Sequence, residues 1–314
     1  MIKKLKPTVK SLLNRSARPA LVLACACLWG FAGVSSLSAQ TKLTYKFQAG
    51  QKTNYVQDTE IKQSMSVAGQ NIDTNIKQSM EVSQSVLGVE GTEASVQQTV
   101  SRFRTTMEMP GNNIEYDSKD GKKPDGPVGA LIGPLFDAMV GTEISFKLSA
   151  DGKMTNAKIS EKLANALKAN PILAQMGGAF SEDGLKGMMQ QSSMPLPAEA
   201  LTKGKSWTNQ VEMKTPIGVT KLTTTYTYQG PEARDNVMLE KITTKSEMTI
   251  EPAANQDVKV KVKDTDIQGT IYFDNVAGRI VDSTQTQKIT MEIAVMGQNL
   301  ESKQTQTLKY KVLP

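Results

Sequence analysis

The amino-acid sequence predicts a β-rich α+β protein. We expect one long, curved antiparallel sheet, forming a half-open barrel, with a few short helices packed on its concave face. Long stretches on either side of residues 128–200 alternate between apolar and polar residues, the pattern of strands with one buried and one solvated face. Between them, apolar residues recur at three- and four-residue steps, which indicates helices. The alternative is two smaller β domains joined by this helical insert.

Residues 1–39 have the three parts of a secretory signal: a basic start, an apolar centre over residues 19–34 and an exit of small residues. The apolar run is shorter than the roughly 20 residues of a membrane span, so we expect cleavage after Ala39, or after Ser38. A retained anchor and a lipidated Cys25 are the alternatives. The mature chain, residues 40–314, is then predicted to be a single domain, exported to the periplasm, the cell envelope or the extracellular space.

Charge and composition exclude several functions. The 314 residues include 37 Lys+Arg and 31 Asp+Glu, with no His and two Cys. Six bases and no acid lie in the first 18 residues, which leaves 31 bases against 31 acids and no overall attraction to nucleic acid. Both cysteines, Cys25 and Cys27, lie in the leader. Without His or mature Cys, most metal sites and nucleophile–base pairs are excluded, so we predict no enzymatic activity, no catalytic residues, no cofactor and no metal.

The first β region begins with two long strands joined by a hairpin. Apolar residues of one parity, Tyr55, Ile61 and Met65, precede a turn at residues 68–71. Apolar residues with the same two-residue period, Ile72, Ile76 and Met80, follow it. A third strand is predicted over Thr92–Met109. Strands of about 15 residues exceed the usual five or six. Because long strands twist, a strongly curved sheet is expected.

The middle of the chain changes to a helical pattern. After a polar loop at Asp117–Pro127, apolar residues at helical spacing cover residues 128–140, where Pro134 is expected to kink the helix or to start a second one. A β-hairpin then follows over Glu143–Ile159. Ser160 and Ser181 are each expected to cap a further helix.

The second β region runs from Ser206 to Val312. Within it, Val258–Lys263 alternates valine with lysine, which is typical of an edge strand protected by charge. The hairpin sequence at residues 69–74 is echoed at residues 297–302. Duplication of an ancestral half and chance reuse of the same residue types both explain this similarity.

Methionine is in excess, with 16 Met against 7 Phe. Its flexible side chain suits either a pocket for varied apolar groups or gaps between a sheet and helices. The candidate ligand-binding residues are methionines and aromatic residues of the predicted strands and helix: Tyr55, Met65, Met80, Phe136, Met139, Trp207, Tyr226, Tyr228 and Met291. Core packing is the alternative role for each.

Several short motifs resemble a family of uncharacterised secreted bacterial proteins. They are Tyr45-x-Phe47-x-x-Gly50-Gln51-x-x-Asn54-Tyr55, Arg102-x-Arg104, Pro195-Leu196-Pro197 and Gly204-Lys205-Ser206-Trp207. The resemblance implies a domain of unknown function that covers essentially the whole mature chain and has no established catalytic residues. The expected architecture is also similar to the half-barrel folds of lipoprotein-carrier proteins, which hold acyl chains between a sheet and helices.

These observations favour an exported, non-enzymatic envelope protein that binds an apolar or amphipathic ligand, such as a lipid or acyl chain, between sheet and helices. The alternative is a structural or protein-interaction module of the cell surface, and a carboxylate-based hydrolase is a third hypothesis. We expect no nucleic-acid partner, and membrane contact only through an uncleaved or lipidated leader. The sequence does not identify a protein partner.

Overall fold

The computed structural model describes residues 40–67, 70–121, 123–169, 187, 189, 193–215, 218–252, 258–295 and 298–314. The predicted leader lies outside these residues, as does the helix predicted to begin at Ser181, apart from the helical residues Gly187 and Met189.

The described chain forms twelve strands and two helices. Its first half contains β1 Lys52–Val67, β2 Gln70–Glu90, β3 Glu93–Met109, β4 Asn112–Asp117, α1 Gly126–Met139, β5 Glu143–Ser149, β6 Met154–Ile159 and α2 Glu161–Ala169. Its second half contains β7 Ser206–Thr215, β8 Gly218–Arg234, β9 Val237–Pro252, β10 Val258–Asp274, β11 Arg279–Val295 and β12 Gln298–Val312.

All twelve strands belong to one open antiparallel sheet. Its order is β6-β5-β3-β2-β1-β12-β11-β10-β9-β8-β7, and β4 pairs with β3 beside β5. The first and last strands, β1 and β12, are neighbours over Tyr55–Ser66 and lie near the middle of this order. The predicted β-rich fold class is therefore confirmed, and the alternative of two separate β domains is wrong because the β1–β12 pairing joins both halves.

The helices follow the sequence pattern closely. α1 runs through Pro134 as a single helix, so no second helix starts there. Before α2, the N–H of Leu163 donates to the Ser160 hydroxyl at 3.4 Å, which is the predicted N-terminal cap.

One short segment shows that the sheet curls. The N–H of Tyr45 donates to the carbonyl of Ala150 at 3.0 Å, and that of Lys46 to the carbonyl of Gly278 at 3.1 Å. Ala150 follows β5 and Gly278 precedes β11, and four strands separate β5 from β11 in the sheet order. Five strand spacings in a flat sheet span about 24 Å. Adjacent residues bond to both turns, so this end of the sheet is strongly curved.

A second segment connects the two ends of the sheet order. The N–H of Leu196 donates to the carbonyl of Asp151, between β5 and β6, at 2.7 Å. The indole N–H of Trp207, in β7, donates to the carbonyl of Pro195 at 2.8 Å. We call the side of the sheet that carries Tyr55 and Tyr226 the interior face, and the opposite side the outer face.

Candidate functional site on the interior face

Apolar side chains of the interior face form three clusters around these crossing segments. We name them after one member: the Tyr226 cluster on β8, β9 and β10, the Tyr55 cluster beneath α1, and the Val96 cluster on β2, β3 and β5. Phe47 packs against both the Tyr226 and the Val96 clusters, which lie far apart in the sheet order. The curl of the sheet therefore brings these clusters together around the segment that contains Phe47.

The Tyr226 cluster is tightly packed, and the hydroxyls of Tyr45 and Tyr228 have hydrogen-bond partners. Trp207 stacks on Tyr226 with ring centroids 5.3 Å apart, and Tyr45 meets Phe273 edge-on at 5.3 Å. Burial raises the pKa of Tyr226 to about 12. The Tyr228 hydroxyl donates to Glu240 at 2.5 Å, and burial, together with this bond, raises its pKa to about 12. Both phenols are therefore neutral hydrogen-bond donors at ordinary pH.

The Tyr55 cluster joins α1 to the sheet. Phe136 of α1 lies 5.3 Å from Phe103 and 5.2 Å from Tyr116, measured between ring centroids. The Tyr116 hydroxyl donates to Asp137 at 2.9 Å. Met80 and Met139 pack around the same cluster. α1 is thus fixed on the interior face by ring packing and by one hydrogen bond at its edge.

Next to the Tyr55 cluster and beyond it, towards the β1–β2 and β11–β12 hairpins, the interior face has a different character. Half-buried amide side chains there share the face with half-buried apolar ones: Gln57, Gln63, Gln78, Gln285, Gln287, Gln304, Gln306, Ile61, Met65, Ile76, Met107 and Met291. We call this set the glutamine–methionine face. Amides donate and accept hydrogen bonds, whereas methionine and isoleucine offer apolar surface, so the face suits a molecule with both kinds of group.

Strand register produces this mixture. Ile61 lies opposite Ile76 of β2 and Gln306 of β12, and Ile76 lies in turn opposite Met107 of β3. The Gln63 side-chain amide donates to the Ser302 hydroxyl at 3.4 Å, a long bond that another acceptor could replace. One continuous row across β3, β2, β1 and β12 is therefore apolar at one end and amide-bearing at the other.

The nine predicted ligand-binding residues lie at three places on this one face. Tyr55, Met80, Phe136 and Met139 belong to the Tyr55 cluster, Trp207, Tyr226 and Tyr228 belong to the Tyr226 cluster, and Met65 and Met291 lie on the glutamine–methionine face. In the first two places the aromatic side chains pack as core. Ligand binding by the nine residues stays a prediction.

The glutamines are the residues that sequence reasoning missed. Their signal was present, because Gln57 and Gln63 share the parity of Tyr55, Ile61 and Met65 in β1. A polar residue on an apolar parity is easily treated as an interruption of the pattern. On a partly covered sheet face, it instead becomes a member of a mixed surface.

Two open clefts lie elsewhere in the described chain. One, of about 600 Å³, adjoins the β1–β2 hairpin and is lined mainly by outer-face residues, among them Lys62, Asp73, Asn75, Glu108 and Lys303. The other, of about 460 Å³, is lined by residues of β8 and β9 and by Lys203. Neither includes a residue of α1, so neither is the cavity between sheet and helices that the ligand hypothesis expects.

The described residues contain neither a cluster of metal ligands nor a membrane-spanning helix. These contain no group of three or more acidic, histidine or cysteine residues placed to hold a metal ion. No described helix has the length and apolar character needed to cross a bilayer.

A comparison with known protein families shows to which family the chain belongs. The sequence profile of a family of unknown function, DUF6263, matches residues 91–280, which is more than half of the chain. The chain belongs to this family. The match confirms the resemblance to an uncharacterised family, and its range is narrower than residues 40–314. The matched range begins just before β3, ends at the start of β11, and includes both helices. No curated protein matches the chain.

Solved structures show only a loose likeness to this DUF6263 protein. A structure titled "Lipid-protein interactions in lipovitellin" has a TM-score of 0.47 and 12% identity, over 86% of this chain and 26% of that one. OccK2 (OpdF) of Pseudomonas aeruginosa has a TM-score of 0.22 and 8% identity, over 84% of this chain and 98% of that one. The chain thus spans about a quarter of the length of the lipovitellin chain. At these TM-scores the likeness carries no argument about function.

Proposed function

We propose that this DUF6263 protein is an exported, non-enzymatic protein of the cell envelope that binds an amphipathic ligand, such as a lipid or acyl chain, on its interior face. The glutamine–methionine face is the observation that supports this proposal. It combines apolar side chains that remain partly exposed with amides that can bond to ester or headgroup oxygens.

The energetics favour such a ligand. Covering the half-buried isoleucine and methionine side chains with an acyl chain gains about 25 cal/mol per Å² of apolar surface removed from water. Unbranched methionine adapts to chains of different shape. The amides are able to keep their hydrogen bonds by exchanging one acceptor for another, as with the long Gln63–Ser302 bond, so the ligand does not strand buried polar groups.

Export and the lack of enzymatic activity are supported by the sequence. The segment at residues 1–39 has the three parts of a secretory signal, and the chain has no His and no Cys after residue 39. A binding role needs neither a nucleophile nor a general base. Burial raises the pKa of Tyr226 and Tyr228 to about 12, so neither phenol readily loses its proton to act as a base, which also fits a binding surface.

A fatty-acid binding assay with two neighbouring substitutions tests the ligand proposal. Palmitate binding is measured by native mass spectrometry and by displacement of an environment-sensitive fluorescent probe. Ile76→Asp puts a charge on the glutamine–methionine face and is expected to raise the Kd at least about tenfold. Lys77→Asp puts the same group on the outer face, one residue away, and is expected to change the Kd less than about twofold.

The same two variants also give the results that would contradict the ligand proposal. Circular dichroism first establishes that both are folded. If the unaltered protein binds neither palmitate nor a phospholipid, or if both substitutions weaken binding equally, the interior face is not a ligand site.

One observation favours a second candidate, a protein-interaction module. β10 pairs with β11 along its length, yet among the described residues it pairs with β9 only from Ile267 onward. Residues 260–266 therefore present a strand edge, and Lys261 and Lys263 are exposed on it. The predicted edge strand, Val258–Lys263, overlaps this stretch at residues 260–263. A free edge of this kind is where a partner protein adds an extended strand.

Amide hydrogen exchange tests this second candidate. In the free protein, amides of residues 260–266 that face β9 are expected to exchange faster than those of residues 267–273, which have partners on both sides. Equal protection of the two stretches would mean that the edge is already covered, and the candidate would fail.

A further inference from the structure

Most of the exposed large apolar side chains lie at one end of the sheet. Six of the seven that the described residues contain lie at the end where β2 and β12 finish and where the β8–β9 and β10–β11 turns lie: Leu87, Val89, Val237, Met238, Val276 and Leu313. We call this end the turn rim. The seventh, Ile72, is 44% exposed and lies at the opposite end, beside the β1–β2 hairpin. Single exposed apolar residues are ordinary, but a set at one end of a protein indicates a contact surface.

The β10–β11 turn is built to present Val276. This side chain is 86% exposed. The Lys46 ammonium donates to the carbonyls of Asn275 at 2.9 Å and Val276 at 3.2 Å. The Asp274 carboxylate accepts from the N–H groups of Val276 at 2.9 Å and Ala277 at 2.8 Å. Two carbonyls and two N–H groups of the tip are therefore bonded within the protein.

Such a tip fits an apolar environment better than water. An unpaired backbone group that leaves water for lipid costs several kcal/mol, so loops seldom enter lipid unless these groups are bonded internally. Here that cost is avoided for four backbone groups of the tip, whereas the valine side chain gains nothing from its exposure to water. The arrangement favours partial insertion of Val276 into a lipid interface.

Basic side chains accompany the apolar tips. Lys46 binds the turn of Val276 itself. Lys52 lies opposite Ser85, two residues before Leu87. Arg234 lies opposite Val237 across the β8–β9 hairpin, where its guanidinium pairs with Asp282 at 3.6 Å and lies over the Tyr272 ring. Asp235, in that hairpin turn, offsets part of this charge. Apolar tips with bases close behind them match a bilayer whose headgroups carry negative charge.

The spacing of the tips favours a bilayer over a protein groove. β1 and β12 lie between β2, which carries Leu87, and the β10–β11 turn, which carries Val276. These three strand spacings correspond to about 14 Å before any curl is counted. Separate convex points along the end of a curled sheet cannot all enter one groove, but a flat, deformable surface meets them together.

We propose that the turn rim docks on an anionic lipid bilayer, with Val276, Met238 and Leu87 inserted among the headgroups and Lys46 and Lys52 on the phosphates. This docking is separate from the proposed ligand site, which lies towards the opposite end of the strands. It also goes beyond the sequence-based expectation of membrane contact only through the leader.

Vesicle co-sedimentation with matched variants tests the proposal. Vesicles mix phosphatidylcholine with phosphatidylglycerol, and every variant is purified in the same form, with its mass measured, so that residues 1–39 are equally present or absent in all. Val276→Asp with Met238→Asp is expected to lower the partition coefficient at least about tenfold. Ile72→Asp makes the same chemical change at the opposite end and is expected to alter it less than about twofold.

A second measurement shows directly whether the Val276 tip enters the lipid interface. Tryptophan emission of Val276→Trp is expected to shift to shorter wavelength with vesicles, because the indole enters the interface. Vesicles of phosphatidylcholine alone are expected to bind more weakly, because their surface has no net negative charge to attract the basic side chains.

The opposing results are equally specific. Docking at the turn rim is overturned if the unaltered protein does not sediment, if the Val276 and Ile72 variants bind alike, or if the Val276→Trp emission is unchanged. Equal binding to the neutral vesicles overturns the anionic preference. Ile76→Asp, which alters the proposed ligand site, is expected to retain vesicle binding, so failure of one proposal is distinguishable from failure of the other.

Discussion

Gly278 and Gly121 have nearly the same backbone conformation in different surroundings. Their φ angles are +66° and +65°, a region that favours glycine. A Cβ on Gly278 would lie 2.4 Å from the backbone nitrogen of Lys46, whereas a Cβ on Gly121 would meet nothing within 4 Å. Gly278 therefore permits the close approach of the segment around Lys46 that accompanies the curl of the sheet.

Alanine at these two positions separates conformational strain from steric contact. Gly121→Ala is expected to lower the free energy of unfolding by about 1–2 kcal/mol, the usual cost of a left-handed conformation for a residue with a Cβ. Gly278→Ala is expected to cost clearly more, because the backbone of Lys46 must also move. Urea denaturation measures both values, and equal losses would contradict the described contact.

Arg102 and Asp117 form a paired charge on the outer face of β3 and β4. Arg102 donates two hydrogen bonds to the carboxylate, at 3.0 Å and 2.5 Å. Chiefly through these bonds, the guanidinium holds the pKa of Asp117 at about 2. The lowered pKa means that the unfolded chain binds this proton more readily than the folded chain does. The pair therefore stabilises the fold above about pH 4, and this contribution is lost as the pH falls towards 2.

Asp117→Asn is expected to reduce stability at neutral pH and to flatten its decline between about pH 4 and pH 2. Urea titrations at several pH values measure both effects. Asp120→Asn, an exposed carboxyl three residues further on, serves as the control and is expected to leave the slope nearly unchanged. A slope in Asp117→Asn equal to that of the unaltered protein would refute the role of the pair.

At the scale of elements, the sequence predicts what is periodic and local. Alternation predicted β1, β2 and β3 almost to their observed ends, and Ser160 predicted the start of α2, because these signals depend on neighbouring residues. β4 was missed although its six residues, Asn112–Asp117, alternate, because the strand follows a turn at once and contains only two apolar residues, Ile114 and Tyr116.

Long-range contacts at this scale were not predictable. The segments around Tyr45 and Leu196 have no regular periodicity, and their partners lie more than 40 residues away in the chain for Leu196 and more than 100 for Tyr45. The same dependence on long-range pairing explains why the sequence did not predict which residues meet in the candidate site. Alternation indicated that Met65 and Met291 face one side of their strands, but only the strand order places them on the same face, separated by β12.

At the scale of the whole molecule, the most consequential pairing is that of β1 with β12. It holds the two halves of the sheet together, because β2–β6 follow from β1 on one side and β7–β11 lead to β12 on the other. Removing β12 would leave β1 and β11 with unpaired edges in the middle of the sheet.

A chain that ends at Val295, and so lacks β12, is expected to be unfolded or aggregated. Its loss of stability is expected to be far larger than the length of the deletion implies. A chain that ends at Val312 retains β12 and is expected to unfold cooperatively like the full chain. Circular dichroism and size-exclusion chromatography measure both chains. A soluble, cooperatively folded product from the shorter chain would show that the two halves are independent.

The adjacency of the first and last strands also governs how the protein is made. During synthesis, β1 is made first, and its partner strand β12 follows more than 230 residues later in the chain. One edge of β1 stays unpaired until then. Contacts of such high sequence separation form slowly, and a waiting strand edge is prone to associate with other chains. We therefore expect chaperones that shield β1 until β12 has been synthesised to increase the yield of folded protein.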